Sequence, residues 1–225
     1  MQIPSLSPRL LQLLFSNLQN SFSLGNISDL PCFTYFCKMK LPIIAYGDPV
    51  LRKKAVDITK DYPNLSELIA NMFETMYHAN GVGIAAPQIG LSIRLFVIDI
   101  TDKEDAELGE FKKVFINAQI LSEDGEKWSF NEGCLSIPEI REDISRNENV
   151  TISYYDEDWN HHTETYSGFK ARVIQHEYDH IEGKLFTDKL SPFRRALLKG
   201  KLDSISRGTI KVDYRMKFPA ASKKR

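Results

Sequence analysis

The stretch SGFKARVIQHEYDHIEG, residues 167–183, combines a helix pattern with two histidines spaced four residues apart. Ser167 suits the position before the first turn of a helix, and Gly183 suits the position after the last. Since positions four apart lie on one face of a helix, His176 and His180 can point at a single metal ion. The same spacing fits a packed or solvated histidine pair without an ion, so the rest of the sequence must decide.

The patterns around this helix predict an α+β domain. Residues 64–80 have apolar side chains at helical spacing and begin with a capping-box-like pair, Asn64 and Glu67. Three segments rich in β-branched and aromatic residues predict strands over 93–100, 113–120 and 149–156. A further helix is expected over residues 191–205, with Pro192 in its first turn. We therefore predict mainly antiparallel sheets around a central metal-binding helix, with a C-terminal helix.

A change in composition sets the domain boundaries. Residues 1–38 contain one acidic residue among many Leu, Phe and Ser, whereas the composition from residue 40 onward is that of a folded domain. We interpret 1–38 as a leader: a disordered stretch, a stretch upstream of the true start at Met39, or a targeting peptide, the last disfavoured because positive charges are few. Residues 39–205 are expected to form the domain and 206–225 a C-terminal tail, frayed over 217–225.

Charge and cysteine content restrict the partners and the compartment. The formal net charge is -1, so no basic excess favours nucleic acid. The three cysteines, at positions 32, 37 and 134, are an odd number that forms no dense disulfide framework, which favours a reducing compartment. The sequence contains no run of about 18 apolar residues, so no membrane span is predicted. We expect a cytoplasmic protein without membrane or nucleic-acid partners, or an organellar one if 1–38 is a targeting peptide.

The third metal ligand must lie upstream of the histidine pair, because no His follows His180 and the only later Glu, Glu182, is too close. The candidates are a carboxylate, Cys134, His78, His161 and His162. The last two are set aside because their polar segment predicts an exposed turn. His78 ends a predicted helix, where a cation is favourable. A Cys134 thiolate is the strongest soft ligand of the set and would leave a fourth position for water, as in catalytic sites.

Three blocks of the chain, read together, resemble the signature motifs of peptide deformylases. They are GVGIAAPQIG (81–90), EGCLSIPE (132–139) and QHEYDH (175–180), in the same order and at suitable separations. The resemblance covers about residues 39–205, which it marks as the catalytic domain. It implies a metal-dependent hydrolase that removes the N-formyl group from the N-terminal methionine of new polypeptides and releases formate. It also implies a monomer that works near the ribosome exit.

The resemblance further implies a metal site and a group that moves protons. Cys134, His176 and His180 would bind one divalent ion, and Glu177 would transfer protons. Ferrous iron is the implied native metal, while zinc, nickel or cobalt can occupy such a site. The donor types alone do not choose among these metals.

Other matched positions concern the substrate. Gln88 and the backbone N–H of Leu135 would stabilise the oxyanion, and Gly83 would let the substrate backbone approach closely. Arg141 matches a position that helps to hold substrate or structure. Four apolar residues fall where the family lines its methionine pocket: Val82, Phe130, Phe169 and Val173.

Two alternative functions share the histidine motif. One is a metalloprotease that cleaves internal peptide bonds, and the other is a non-catalytic metal-binding module in which Glu177 would be incidental. The glycine-rich block at 81–90 is no phosphate-binding loop, since no Gly-Lys-Ser/Thr follows it. Turnover of formylated and acetylated peptides distinguishes these alternatives from a deformylase.

Overall fold

A five-stranded antiparallel sheet forms the centre of the computed structural model, which describes residues 39–101 and 110–219. Seven strands are present in the described chain: β1 Ile43–Ile44, β2 Gly83–Ala85, β3 Leu95–Asp99, β4 Lys112–Cys134, β5 Ile137–Tyr155, β6 His161–Ser167 and β7 Met216–Lys217. The α-helices are α1 Leu65–His78, α2 Gly168–Ile181 and α3 Pro192–Arg207. Short 3-10 helices cover Pro49–Arg52, Ala86–Ile89 and Phe186–Lys189. The predicted α+β class with a mainly antiparallel sheet is confirmed.

The sheet follows chain order, β2-β3-β4-β5-β6, and each neighbouring pair is antiparallel. The three strand predictions are confirmed, because they fall on β3, the start of β4 and the end of β5. Between the last two, residues 121–148 continue both strands into one long hairpin, which the polar sequence did not indicate. At its far end the hairpin carries Cys134, so the connection of β4 to β5 lies at the functional site.

Helix α1 lies where the apolar spacing predicts it. Met72 and Met76 are fully buried in the core cluster between α1 and the sheet, as expected for packing residues rather than ligands. The predicted capping box is wrong, however. Asn64 precedes the helix with φ 54°, and its side chain forms no capping hydrogen bond with a described residue. A capping residue normally has an extended backbone, so the left-handed conformation, which Asn tolerates, is consistent with the missing cap.

Helix α2 packs on the sheet through Ala171, Ile174 and Ile181, all inaccessible to solvent. Ser167 is the residue before the helix, but its side chain caps no N–H of the described chain. Gly183 follows the helix with φ 70°, and a Cβ there would lie 2.7 Å from the carbonyl oxygen of Arg52. A glycine is therefore needed where the chain leaves α2, and α2 holds its predicted central position.

The C-terminal part differs from the expected tail. After α3, whose first turn is capped by the Ser191 hydroxyl, β7 pairs in parallel with β1. Phe218 packs against a core cluster that includes residues of α3. The prediction that 217–225 is frayed is therefore wrong for Lys217 and Phe218. A two-residue strand is too short to produce a recognisable sequence pattern.

The predictions for the leader, 1–38, and for Cys32 and Cys37 lie outside the described residues. None of the helices in the described ranges is both long and apolar enough to cross a membrane.

Candidate active site

The three predicted metal ligands converge at the junction of β4 and α2. The donor atoms of Cys134, His176 and His180 all lie within 4.8 Å of one another, and Cys134 Sγ is 3.3 Å from His180 Nε2. His180 is almost completely buried. The strand end supplies the sulfur while two turns of one helix supply both imidazoles, as their spacing predicts.

The other histidines lie elsewhere. His78 is exposed at the end of α1 and lines a separate, smaller cavity. His161 and His162 begin strand β6 rather than occupying a turn, which corrects the predicted loop. His162 Nε2 lies 2.7 Å from Asp156 Oδ2, and His161 Nε2 lies 2.8 Å from Ser153 Oγ. Pairing with β5 explains why this polar segment is extended.

A buried ionic network orients His176. Its Nδ1 lies 2.9 Å from Glu132 Oε2, which leaves Nε2 as the ring nitrogen available to a metal. Arg146 binds the same carboxylate through Nε at 2.7 Å and Asp179 through Nη1 at 2.7 Å. Arg172 adds a contact to Glu132 at 3.0 Å. Burial alone would raise the pKa of Glu132, but hydrogen bonds from His176 and Arg146 outweigh it and lower the pKa well below its ordinary value.

Sequence reasoning missed this network. Glu132 lies in the motif EGCLSIPE (132–139), but the motif does not indicate which residue pairs with its carboxylate. Arg146 occupies an inward position of β5 in alternation with Ile144 and Glu142, which becomes apparent once residues 137–148 are known to be a strand. A charged residue at an inward strand position needs a buried counter-charge, so a strand prediction over this segment would have indicated an internal ion pair at Arg146.

Glu177 lies beside the ligands with 4% of its surface exposed. Burial raises its pKa to about 7, although the charges of His176 and Arg146 oppose the shift. Its Oε2 has no hydrogen-bond partner among residues 39–101 and 110–219. A Cβ on Gly83 would lie 2.6 Å from Glu177 Oε1, so the glycine leaves room for the carboxylate. Gly83 was expected to admit the substrate backbone, and the structure adds this second reason for a glycine.

Gln88 is fixed in one orientation in the 3-10 helix Ala86–Ile89. Its Oε1 accepts a hydrogen bond from the Ala85 N–H at 2.8 Å, and its Nε2 lies 3.6 Å from Cys134 Sγ. Since the carbonyl oxygen is occupied, the NH₂ group must face the ligand cluster. Leu135 directly follows the cysteine, in the two-residue connection between β4 and β5.

A cavity of about 600 Å³ opens over these groups. The four residues expected to form a methionine pocket all lie on its wall: Val82, Phe130, Phe169 and Val173. The rings of Phe130 and Phe169 are 5.5 Å apart between centroids. Arg141 also lines the cavity, and its guanidinium binds Asn131 on the paired strand, through Nε to Oδ1 at 2.9 Å. Arg141 therefore links the two strands of the hairpin beside the cavity.

The donor set fits a divalent transition metal. A thiolate with two imidazoles suits borderline and soft ions and leaves a position for water. The local charge also favours a cation: burial lowers the pKa of His176, but Cys134 and Glu132 outweigh it and raise the pKa to about 10. A bound metal ion would supply the positive charge that the thiolate and the carboxylate favour here.

Comparison with known proteins gives consistent matches. The family model for polypeptide deformylase matches residues 40–196. A peptide deformylase of Christiangramia forsetii is 61% identical over 196 residues, which cover 83% of this chain and 100% of that protein. One of Flavobacterium psychrophilum is 60% identical over 189 residues, or 80% of this chain and 97% of that one.

Comparison with solved structures also gives peptide deformylases. The crystal structure of a peptide deformylase from Legionella pneumophila has a TM-score of 0.67 at 41% identity, covering 76% of this chain and 98% of that chain. The Thermotoga maritima peptide deformylase has a TM-score of 0.62 at 43% identity, covering 68% and 99%. The family model spans most of the sequence, and the alignments cover nearly the whole length of both relatives. The chain therefore belongs to the polypeptide deformylase family, metal-dependent enzymes that remove the formyl group from N-terminal formyl-methionine.

Proposed function

We propose that the chain hydrolyses the N-formyl amide of formyl-methionyl polypeptides, with Glu177 moving the proton and with Cys134, His176 and His180 holding one divalent metal ion. The observation that supports this most strongly is the buried carboxylate of Glu177 next to three converging donor atoms, at the floor of an open cavity. A structural metal site would need a fourth ligand in place of a cavity.

Ferrous iron is the proposed resident metal, and zinc, nickel or cobalt are alternatives with overlapping donor preferences. When bound, the ion would polarise the formyl oxygen and lower the pKa of water, so that hydroxide is available as the nucleophile near neutral pH. Elemental analysis of the purified protein identifies the ion.

Glu177 is the proton carrier in this proposal. A carboxyl group with its pKa near neutrality can accept the proton of the attacking water and return it to the amine nitrogen that leaves. Its unpartnered Oε2 is free for this contact within the described structure. Glu132, by contrast, is occupied by Arg146 and His176 and serves to hold the ligand.

Two donors stabilise the negative charge that develops on the formyl oxygen. The Gln88 amide is turned toward the site by its bond to the Ala85 N–H, and Leu135 supplies a backbone N–H. One well-placed donor of this kind contributes about 3 kcal/mol to transition-state stabilisation.

Methionine is the proposed side chain in the cavity. Its wall is largely apolar, with Val82, Phe130, Phe169 and Val173, and burial of one apolar side chain contributes about 1.5 to 3 kcal/mol. Gly83 leaves the floor open beside Glu177.

We also propose that the enzyme acts as a cytoplasmic monomer near the ribosome exit, where a formylated N-terminus first emerges. An organellar location holds instead if residues 1–38 target the chain. The proposed catalytic domain is 39–205, with the strand β7 added to it.

Formate release tests the proposal. We expect turnover of a formyl-Met peptide and none of the matching acetyl-Met peptide, because the family removes the formyl group, which is smaller than acetyl. Equal turnover of the two, or cleavage of internal peptide bonds, would favour a metalloprotease.

A further inference from the structure

The segment between α3 and β7 places a tyrosine on the wall of the active-site cavity. Tyr214 lies beyond residues 40–196, the part matched by the family model, and its hydroxyl donates a hydrogen bond to the Leu135 carbonyl oxygen at 2.8 Å. The backbone beside it is anchored, because the Ile43 N–H donates to the Arg215 carbonyl at 2.9 Å. The segment that leads into β7 thus brings a side chain to the loop that carries Cys134.

That loop is a turn whose conformation is not fixed by its own sequence. Cys134 pairs with Ile137, so Leu135 and Ser136 are the two central residues of a hairpin turn. Two-residue hairpin turns favour the primed types, which need a positive φ at one or both central positions. Neither Leu135 nor Ser136 is among the described residues that have a positive φ. The turn is therefore not of a primed type, and contacts from outside the hairpin can help to select its conformation.

Two outside contacts hold it. The Tyr46 N–H donates to the Ser136 carbonyl at 2.9 Å, and the Tyr214 hydroxyl donates to the Leu135 carbonyl. The second contact fixes the central peptide of the turn, the plane whose orientation distinguishes one turn type from another. The Leu135 N–H and the anchored carbonyl belong to one residue, so a shift of Leu135 after loss of that anchor also displaces its N–H.

We infer that Tyr214 is a positioning residue for deformylation: its hydroxyl holds the Leu135–Ser136 peptide so that the Leu135 N–H points at the developing oxyanion. The inference rests on the proposed role of that N–H. It extends the functional site to the C-terminal segment, which sequence reasoning treated as a tail.

A purely structural role is the competing explanation, since the Tyr214 ring also packs against the α1 core cluster. Tyr214→Phe separates the two because it keeps the ring and removes only the hydroxyl. We expect kcat to fall roughly 3- to 10-fold, with KM and metal content unchanged and with Tm lowered by only about 2 to 4 °C, as for the loss of one neutral hydrogen bond.

Inhibitor binding gives a second measurement that a structural role does not change. A peptide hydroxamate places an anionic oxygen where the oxyanion forms, whereas the product Met-peptide carries no such oxygen. Tyr214→Phe should weaken hydroxamate binding by the same factor as kcat and leave the affinity for the product unchanged. Tyr62→Phe is the matched control, because Tyr62 packs against the same cluster but does not line the cavity.

Three results would overturn the inference: an unchanged kcat in Tyr214→Phe, a rise in KM alone, or a loss of metal or of Tm with unchanged turnover per bound metal. The absence of formate release by the unmodified protein would instead contradict the proposed function, so the two failures are distinguishable.

Discussion

Gly83 and Glu177 share one space: a Cβ on the glycine would lie 2.6 Å from Oε1 and 2.9 Å from the carboxyl carbon of the glutamate. The glycine of one motif therefore sets the position of the carboxylate of another. This relationship joins two residues, one from each block, that lie 94 positions apart (177 − 83) in the sequence.

Gly83→Ala should displace Glu177 while leaving the sheet intact. We expect kcat to fall roughly 100-fold, as for a displacement of about 1 Å of a reacting group, with metal content preserved. Gly200→Ala is the control, because a Cβ there meets nothing within 4 Å and Ala favours the α3 helix. Wild-type kcat in Gly83→Ala would mean that Glu177 need not occupy this position.

Cys134→Ser should abolish tight metal binding, because an alcohol is a poor ligand at neutral pH whereas the thiolate is a strong one. Elemental analysis after dialysis should show metal in the unmodified protein and a large loss in the variant. Cys32→Ser and Cys37→Ser are expected to change nothing. Full metal content in Cys134→Ser would require a different third ligand and would contradict the assignment of Cys134.

Glu132→Gln should weaken metal binding roughly 10- to 100-fold, because Glu132 fixes the ring of His176. The control is Glu142→Gln. Glu142 pairs with Glu132 across the hairpin and is also buried, but its carboxylate binds Arg194 through two hydrogen bonds, at 2.7 and 2.8 Å, rather than a ligand. Its loss should lower stability without changing the dissociation constant of the metal. Equal metal affinities in the two variants would show that Glu132 does not orient His176.

Much of the fold was accessible from the sequence because α1 and α2 have clear apolar periodicity. The hairpin over 121–148 was not, since its exposed residues are polar and its register depends on pairing between distant segments. Strand β7 was missed because two residues carry no periodic signal.

The candidate site, like the fold, was only partly predictable from the sequence. The spacing of His176 and His180 fixes their common helix face, but it does not specify the third ligand. Cys134 was favoured by donor chemistry and by the family resemblance rather than by any spacing. The contacts of Glu132 with Arg146, and of Tyr214 with Leu135, join residues from separate elements, so only the folded chain shows them.

Acid stability should depend on Glu164. Burial raises its pKa, but hydrogen bonds from Tyr154, Tyr166 and Lys113 outweigh this and lower it from 4.5 to about 2. A carboxylate with a lowered pKa stabilises the fold above its unfolded-state value and loses that contribution as the pH falls from 4.5 toward 2.

Glu164→Gln should therefore lower the free energy of unfolding at pH 7, and the difference from the unmodified protein should shrink on acidification. Urea unfolding at several pH values measures this difference, with the exposed Glu157→Gln as the control. A difference that is constant with pH would show that the charge of Glu164 does not contribute.

The most direct test of the central claim is to measure metal content and formate release together in Glu177→Gln. The account predicts that the variant keeps its metal, because Glu177 is not a ligand, while formate release from a formyl-Met peptide falls roughly 10²- to 10⁴-fold. Retained metal with undiminished formate release would contradict the assignment of Glu177 as the proton carrier.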